Sequence, residues 1–245
     1  MTRAAEAGLC VYATPAELAG HAADWLLEIA LAKEGVVAVC LSGGATPQLL
    51  YRRLAEPPYL GAFPWSRAHF FWGDERFVPH GSALSNYRMA HEALLARAPV
   101  PPQNIHPIPT EGLSPDKAAA AYECELKSFY GAVQLDPARP FFDATFLGLG
   151  VDGHTASLFP GSAALEERER WAVAVEGAKA ETRITLTYPA LESSAHAAFL
   201  VAGPEKRAVL ARLRGGAADF PAARLNVSGA LSVFCDAAAA PAPAS

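Results

Sequence analysis

The apolar run Val36-Val-Ala-Val-Cys-Leu41 breaks off into Ser42-Gly43-Gly44-Ala45-Thr46-Pro47. This junction constrains the fold more than any other feature of the chain. A strand with one face in water alternates apolar and polar residues, and this run does not. It therefore reads as a strand buried on both faces, as in a parallel sheet covered by helices. A helix is expected before it: Thr14 can cap, Pro15 suits the first helical position, and Glu17 can complete a capping box. Leu18, Ala22, Trp25, Leu26 and Ile29 then recur at helical spacing, and Gly35 ends the helix. Pro47 opens a second helix that runs through Leu54.

The same order of strand, turn and helix repeats along the chain. Ala68–Trp72 reads as a strand leading into Gly73-Asp74-Glu75-Arg76, and Ser85–Arg97 as a helix. Ser114-Pro115 opens a helix reaching Tyr130. Phe142–Leu149 is another apolar strand, ending in Gly150-Val151-Asp152-Gly153-His154. Arg183–Thr187 and Ala197–Ala202 read as strands, Pro204–Arg214 as a helix, and Leu231–Cys235 as a last strand. This alternation predicts an α/β fold, a mainly parallel sheet covered on both faces. Right-handed crossovers then bring the carboxyl ends of the strands to one rim, where ligands of open sheets bind. With no strong interior linker and no repeat, residues 1–236 are expected to form a single domain. The Ala/Pro-rich segment 237–245 is expected to be a flexible tail.

Charge and composition remove several classes of function. The net charge of -5 argues against nucleic acid as a partner. No stretch approaches the roughly 20 apolar residues of a membrane span. Arg3 leads into a mixed segment with Glu6, unlike the apolar core of a signal peptide. Cys10, Cys40, Cys124 and Cys235 are widely spaced and read as reduced and structural. A cytoplasmic protein is expected, acting as a monomer or weak homodimer.

Four clusters could carry chemistry at the rim. The Ser42-to-Thr46 turn offers backbone amides, two hydroxyls and a helix N-terminus to an anion. It is neither a Walker loop nor a G-x-G-x-x-G turn, so no nucleotide is implied. Spacing alone fits a phosphate cradle and a plain tight turn equally. Gly73-Asp74-Glu75-Arg76 sets three charges after an apolar strand, as rim groups or as a solvated loop. The densest cluster runs from Gly148 to Gly161. His154 can take a proton from water near neutral pH, and Asp152 can orient it. Lastly, Arg183 and Lys206 can bring positive charge to a phosphate. The other histidines make no zinc spacing and no G-x-S-x-G elbow occurs, so neither a metal nor a serine triad is expected.

At these segments the sequence resembles the 6-phosphogluconolactonase family. The residues that carry the likeness are L-S-G-G-A-T-P (41–47), F-W-G-D-E-R-F-V-P (71–79) and S-N-Y-R-M-A (85–90). They continue with L-G-L-G-V-D-G-H-T-A-S-L-F-P-G (147–161), R-I-T-L-T-Y-P-A-L (183–191) and G-P-E-K-R (203–207). The G-V-D-G-H-T-A-S-L-F-P string is the specific one. The resemblance implies a Rossmann-like three-layer α/β sandwich, shared with glucosamine-6-phosphate deaminase and related to ribose-5-phosphate isomerase. In the deaminase I-A-F-N-E-P typically follows the histidine, where Thr155-Ala-Ser-Leu-Phe-Pro160 stands here. The deaminase also usually has D-E-Y in place of Asp74-Glu75-Arg76. One departure from the lactonases lies in the last segment: Ser232-Val-Phe-Cys-Asp236 lacks the tryptophan that usually precedes the terminal Asp.

The resemblance implies hydrolysis of a phosphorylated sugar lactone without a cofactor. The expected base is His154, oriented by Asp152, with Arg76 or a glycine amide at the oxyanion. Ser42, Gly43, Gly44, Ala45, Thr46, Arg183 and Lys206 would hold the phosphate. Asp74, Glu75 and Asn86 would contact sugar hydroxyls or support the loops, and Gly153 and Thr155 complete the binding set. The alternatives are a deaminase or isomerase on the same scaffold and a non-catalytic sugar-phosphate sensor.

Overall fold

The computed structural model describes residues 2–241. Seven strands form one sheet: β1 (Gly8–Tyr12), β2 (Val37–Leu41), β3 (Ala68–Trp72), β4 (Ile105–His106), β5 (Phe142–Leu147), β6 (Ser194–Val201) and β7 (Ala230–Asp236). Their order is β1-β7-β6-β5-β2-β3-β4, and every neighbouring pair is parallel. Every residue of β2 and of β5 is buried. Cover on both faces is what the unbroken apolar run required.

Four helices matter for the site: α1 (Pro15–Ala32), α2 (Ala45–Leu54), α3 (Pro115–Tyr130) and α4 (Arg207–Arg214). Thr14 caps α1, its hydroxyl accepting the Glu17 N–H at 3.2 Å, while the Glu17 carboxylate accepts the Ala13 N–H at 3.1 Å. From β2 the chain steps outward through β3 to β4. From β5 it steps the opposite way through β6 to β7. The direction reverses between β2 and β5, so a crevice opens beyond their carboxyl ends.

Several elements differ from expectation. The Arg183 segment does not join the parallel sheet. Arg183–Leu186 lies in a separate antiparallel sheet between Asp74–Arg76 and Ala172–Val175, with Arg183 directly opposite Arg76. Gly73 turns the chain out of the main sheet, so Asp74-Glu75-Arg76 is a short strand and not a solvated loop. The helix expected over 85–97 is α-helical only at Asn86–Ala90 and continues as a π turn over His91–Leu95. The edge strand β1 is apolar in sequence, Leu9-Cys-Val-Tyr12, yet none of its residues is fully buried, since a sheet edge is covered less than its centre.

The C-terminal segment is held at its start, unlike the free tail expected from residue 237. The Ala237 N–H donates to Tyr12 O at 2.7 Å, and Ala239 is fully buried. Residues 242–245 lie outside the described residues. In that last segment Phe234 packs edge-on against Trp25 and Tyr12, with ring centroids 5.7 and 6.2 Å apart. All four cysteines are unpaired. Cys40 and Cys235 are buried as expected of structural thiols, whereas Cys10 and Cys124 are exposed. Among the described residues no helix is long and apolar enough to cross a membrane.

Candidate active site

A cleft of about 380 Å³ opens at the switch point, lined from the ends of β2, β5 and β6 and from the strand Asp74–Arg76. The end of β2 contributes Ser42, Gly43, Gly44, Ala45 and Thr46. Gly44 is the N-cap of α2 with φ of 105°, and no side chain caps that helix end. Its first amides are thus free to meet an anion in the cleft. Ser42 is fixed by Tyr51, whose buried hydroxyl accepts the Ser42 N–H at 2.9 Å and donates to Ser42 O at 2.8 Å. Tyr122 does the same for Trp72 at the end of β3, at 2.9 and 3.0 Å. Two buried tyrosines therefore lock the ends of the adjacent strands, where the ladder stops.

The Asp74-Glu75-Arg76 strand divides its labour. Glu75 does not line the cleft. It is buried, and its two oxygens accept the N–H groups of Arg76, Asn86 and Tyr87, each at 2.7 Å, and the Ser85 hydroxyl at 2.9 Å. Burial pushes its pKa up and these donors pull it back, leaving it above the ordinary glutamate value. Asp74 and Arg76 do line the cleft. Asp74 Oδ2 accepts the Ser157 hydroxyl at 2.6 Å, tying this strand to the turn that carries His154. Asn86 donates to Asp74 O at 2.9 Å and accepts from Arg76 Nη1 at 2.8 Å. Arg76 Nη2 has no protein partner among the described residues.

His154 enters from the turn after β5. Its Nδ1 is in a very short contact with Asp152 Oδ1, and its own N–H donates to the same oxygen at 3.2 Å. A carboxylate at Nδ1 holds the proton there and leaves Nε2 as the ring's acceptor. The turn is closed by the Gly150 N–H donating to His154 O at 2.8 Å. The ring rests against Phe159 at 4.8 Å, and both side chains of the pair are about one-third exposed, at 30% and 35%. Burial disfavours ionisation of Asp152, but hydrogen bonds from His154 and a contact with Lys179 outweigh it. The carboxyl lies below the ordinary aspartate value. Ala156, which also lines the cleft, has φ of 47°, an uncommon conformation for a residue with a Cβ.

Lys206 closes the β6 side. Its Nζ donates to Leu149 O at 2.8 Å, and it borders the cleft with Glu205. The turn that presents it is held by buried Asp236, whose two oxygens accept the Gly203 N–H at 3.1 and 3.2 Å.

Of the expected residues, Asp152, Glu75, Gly153, Thr155 and Arg183 do not line the cleft; Asp152 stands behind His154. Gly153, at φ of 84°, packs where a Cβ would stand 2.6 Å from Phe220. Thr155 is fully buried beneath the turn. Arg183 has Nη2 3.4 Å from Glu181 and a buried Nε without a hydrogen bond. Burial and the neighbouring Arg76 charge depress its pKa. Tyr51, Tyr122, Ser157, Glu205 and Asp236 escaped the sequence reading. Ser157 and Glu205, inside recognised motif strings, and Asp236, ending the last segment, gave a local hint; the two tyrosines gave none. Among the described residues no group of three or more His, Cys, Asp or Glu could hold a metal ion.

An anion-accepting helix end and a histidine–carboxylate pair at the switch point of a parallel sheet define a small-molecule enzyme of the α/β class. Within it, the chain belongs to the glucosamine-6-phosphate isomerase/6-phosphogluconolactonase family, whose model matches residues 13–233. It is 39% identical over 217 residues to a 6-phosphogluconolactonase of Nostoc, covering 87% of each chain. It is 40% identical to that of Synechocystis, covering 84% of this chain and 85% of the relative. Among solved structures, the 6-phosphogluconolactonase of Trypanosoma cruzi superposes with a TM-score of 0.82 at 33% identity, covering 95% of both chains. A monomeric glucosamine-6-phosphate deaminase superposes with 0.79 at 18% identity over 95% of this chain and 98% of that one, a likeness of fold alone.

Proposed function

We propose that this protein is a 6-phosphogluconolactonase, hydrolysing 6-phospho-D-glucono-1,5-lactone to 6-phospho-D-gluconate. The observation that carries the reading is the Asp152–His154 pair set across a cleft from the uncapped N-terminus of α2. The names of the relatives support the same substrate. A δ-lactone is an activated ester, so a positioned base and an oxyanion partner suffice, with no metal and no cofactor.

In the proposed reaction His154 Nε2 takes a proton from water as the water oxygen bonds to the lactone carbonyl carbon. Asp152 holds the imidazolium in place. Arg76, through its unengaged Nη2, or a cleft amide meets the oxyanion. One such donor is commonly worth about 3 kcal/mol. Collapse breaks the bond to the ring oxygen, which takes the proton back from His154, and the new carboxyl group ionises in water. The α2 amides and Lys206 hold the phosphate, with Asp74 at the sugar hydroxyls. Glu75 and Asn86 brace that wall, and Arg183 backs Arg76. The four free cysteines suit a reducing cytoplasm.

Freshly generated lactone, coupled to 6-phosphogluconate dehydrogenase, tests this directly. Wild type should exceed spontaneous hydrolysis, and His154→Ala should lose about 100-fold or more in kcat. Undiminished turnover in His154→Ala removes it as base. Ammonia released from glucosamine 6-phosphate, with no lactone turnover, would overturn the assignment in favour of a deaminase. Tight product binding without turnover would leave a sensor. Lys206→Ala should chiefly raise KM.

A further inference from the structure

Lys179 lies at the tip of the hairpin formed by Ala172–Val175 and Arg183–Leu186. Its Nζ is 3.4 Å from Asp152 Oδ2. Both contacts from His154 use the other oxygen, Oδ1. The same ammonium stands 5.1 Å over the ring of Phe159, the ring against which His154 packs. A carboxylate oxygen and an aromatic face thus position one cation, although half of its neighbourhood is water.

We propose that Lys179 is a positioning residue of the lactonase site, holding the second oxygen of Asp152 and so keeping the first on the His154 imidazole. This rests on the reading of His154 as the base. The cation fixes the rotation of the carboxylate, leaving Oδ1 for the imidazole.

The test is kcat and KM for wild type, Lys179→Met and Lys179→Arg, at low and high salt. In Lys179→Met kcat should fall about 2- to 5-fold, since the contact is half-exposed. Arginine should restore the wild-type kcat, and salt should shrink the difference. KM and the melting temperature should stay within error of wild type. An unchanged kcat, with His154→Ala inactive, would overturn the assignment of Lys179 and leave the lactonase reading intact. A raised KM with an unchanged kcat would overturn it too, making Lys179 a substrate contact. An active His154→Ala would bring down the reading of the base itself, an outcome the Lys179 variants cannot mimic.

Discussion

Gly43 after β2 and Gly150 after β5 face each other across the switch point, and each leaves room for one functional side chain. A Cβ on Gly43 would stand 2.1 Å from Asn86 Oδ1, and one on Gly150 would stand 2.1 Å from His154 Nδ1. The surroundings are opposite. Asn86 is 2% exposed and belongs to a network with Asp74, Glu75 and Arg76. His154 is in part open to water, with a carboxylate that is also open. One side is a frame that must not move. The other, in the proposed reaction, trades a proton with solvent and substrate, which deep burial would hinder by penalising its charged form.

Substitutions can break this contrast. The largest effect is expected at Glu75. Glu75→Gln turns one acceptor into a donor facing buried N–H groups, and should cost about 2–4 kcal/mol of stability by denaturant unfolding. Stability within about half a kcal/mol of wild type would show that the frame is not rigid. Gly43→Ala should come next, at about 1–3 kcal/mol, since Asn86 can yield only by giving up its hydrogen bonds to Arg76 and Asp74. It should also weaken kcat, because Asn86 holds Arg76.

Gly150→Ala sharpens the comparison. Here the added methyl meets the end of a side chain that can swing into water. The melting temperature should hardly change, while kcat falls about 100-fold as His154 leaves Asp152. A fall in stability as large as that of Gly43→Ala would erase the distinction between the turns.

The smallest effect is the pH dependence of stability, and the two carboxylates should differ in sign. Asp152 is depressed, so its contribution is present above the ordinary aspartate value and fades as pH falls through its folded value. Glu75 is raised, so its contribution is complete below the ordinary glutamate value and declines as pH climbs through its folded value. Melting curves of Asp152→Asn and Glu75→Gln against wild type, from acid to neutral pH, should therefore diverge in opposite directions. Parallel curves would mean that the environments are alike.

The residues legible beforehand share one property: their signal lies within a few positions of chain. The run Val36–Leu41, the glycines after it, and Asp152 two residues from His154 declare strand, turn and the histidine–carboxylate contact locally. Tyr51 and Tyr122 carry no such signal, because a tyrosine in a helix reads as ordinary core until its hydroxyl is seen on a strand end. Arg183 misled for the same reason. Its β-branched surroundings announced a strand but not which sheet it would join, and register decides that.

The sequence by itself determined the α/β class, the rim that holds the site and the His154 turn, since these follow from apolar pattern, glycine placement and motif order. Only the tertiary structure decided which charges share a cavity. Glu75 went under the wall, Arg76 into the cleft, and Lys179 reached Asp152 from a hairpin 27 positions along the chain. Neighbours on a strand point to opposite faces, and distant segments meet only through packing. Burial and charge pairing, which set what each ionisable group can do, are therefore properties of the assembled fold.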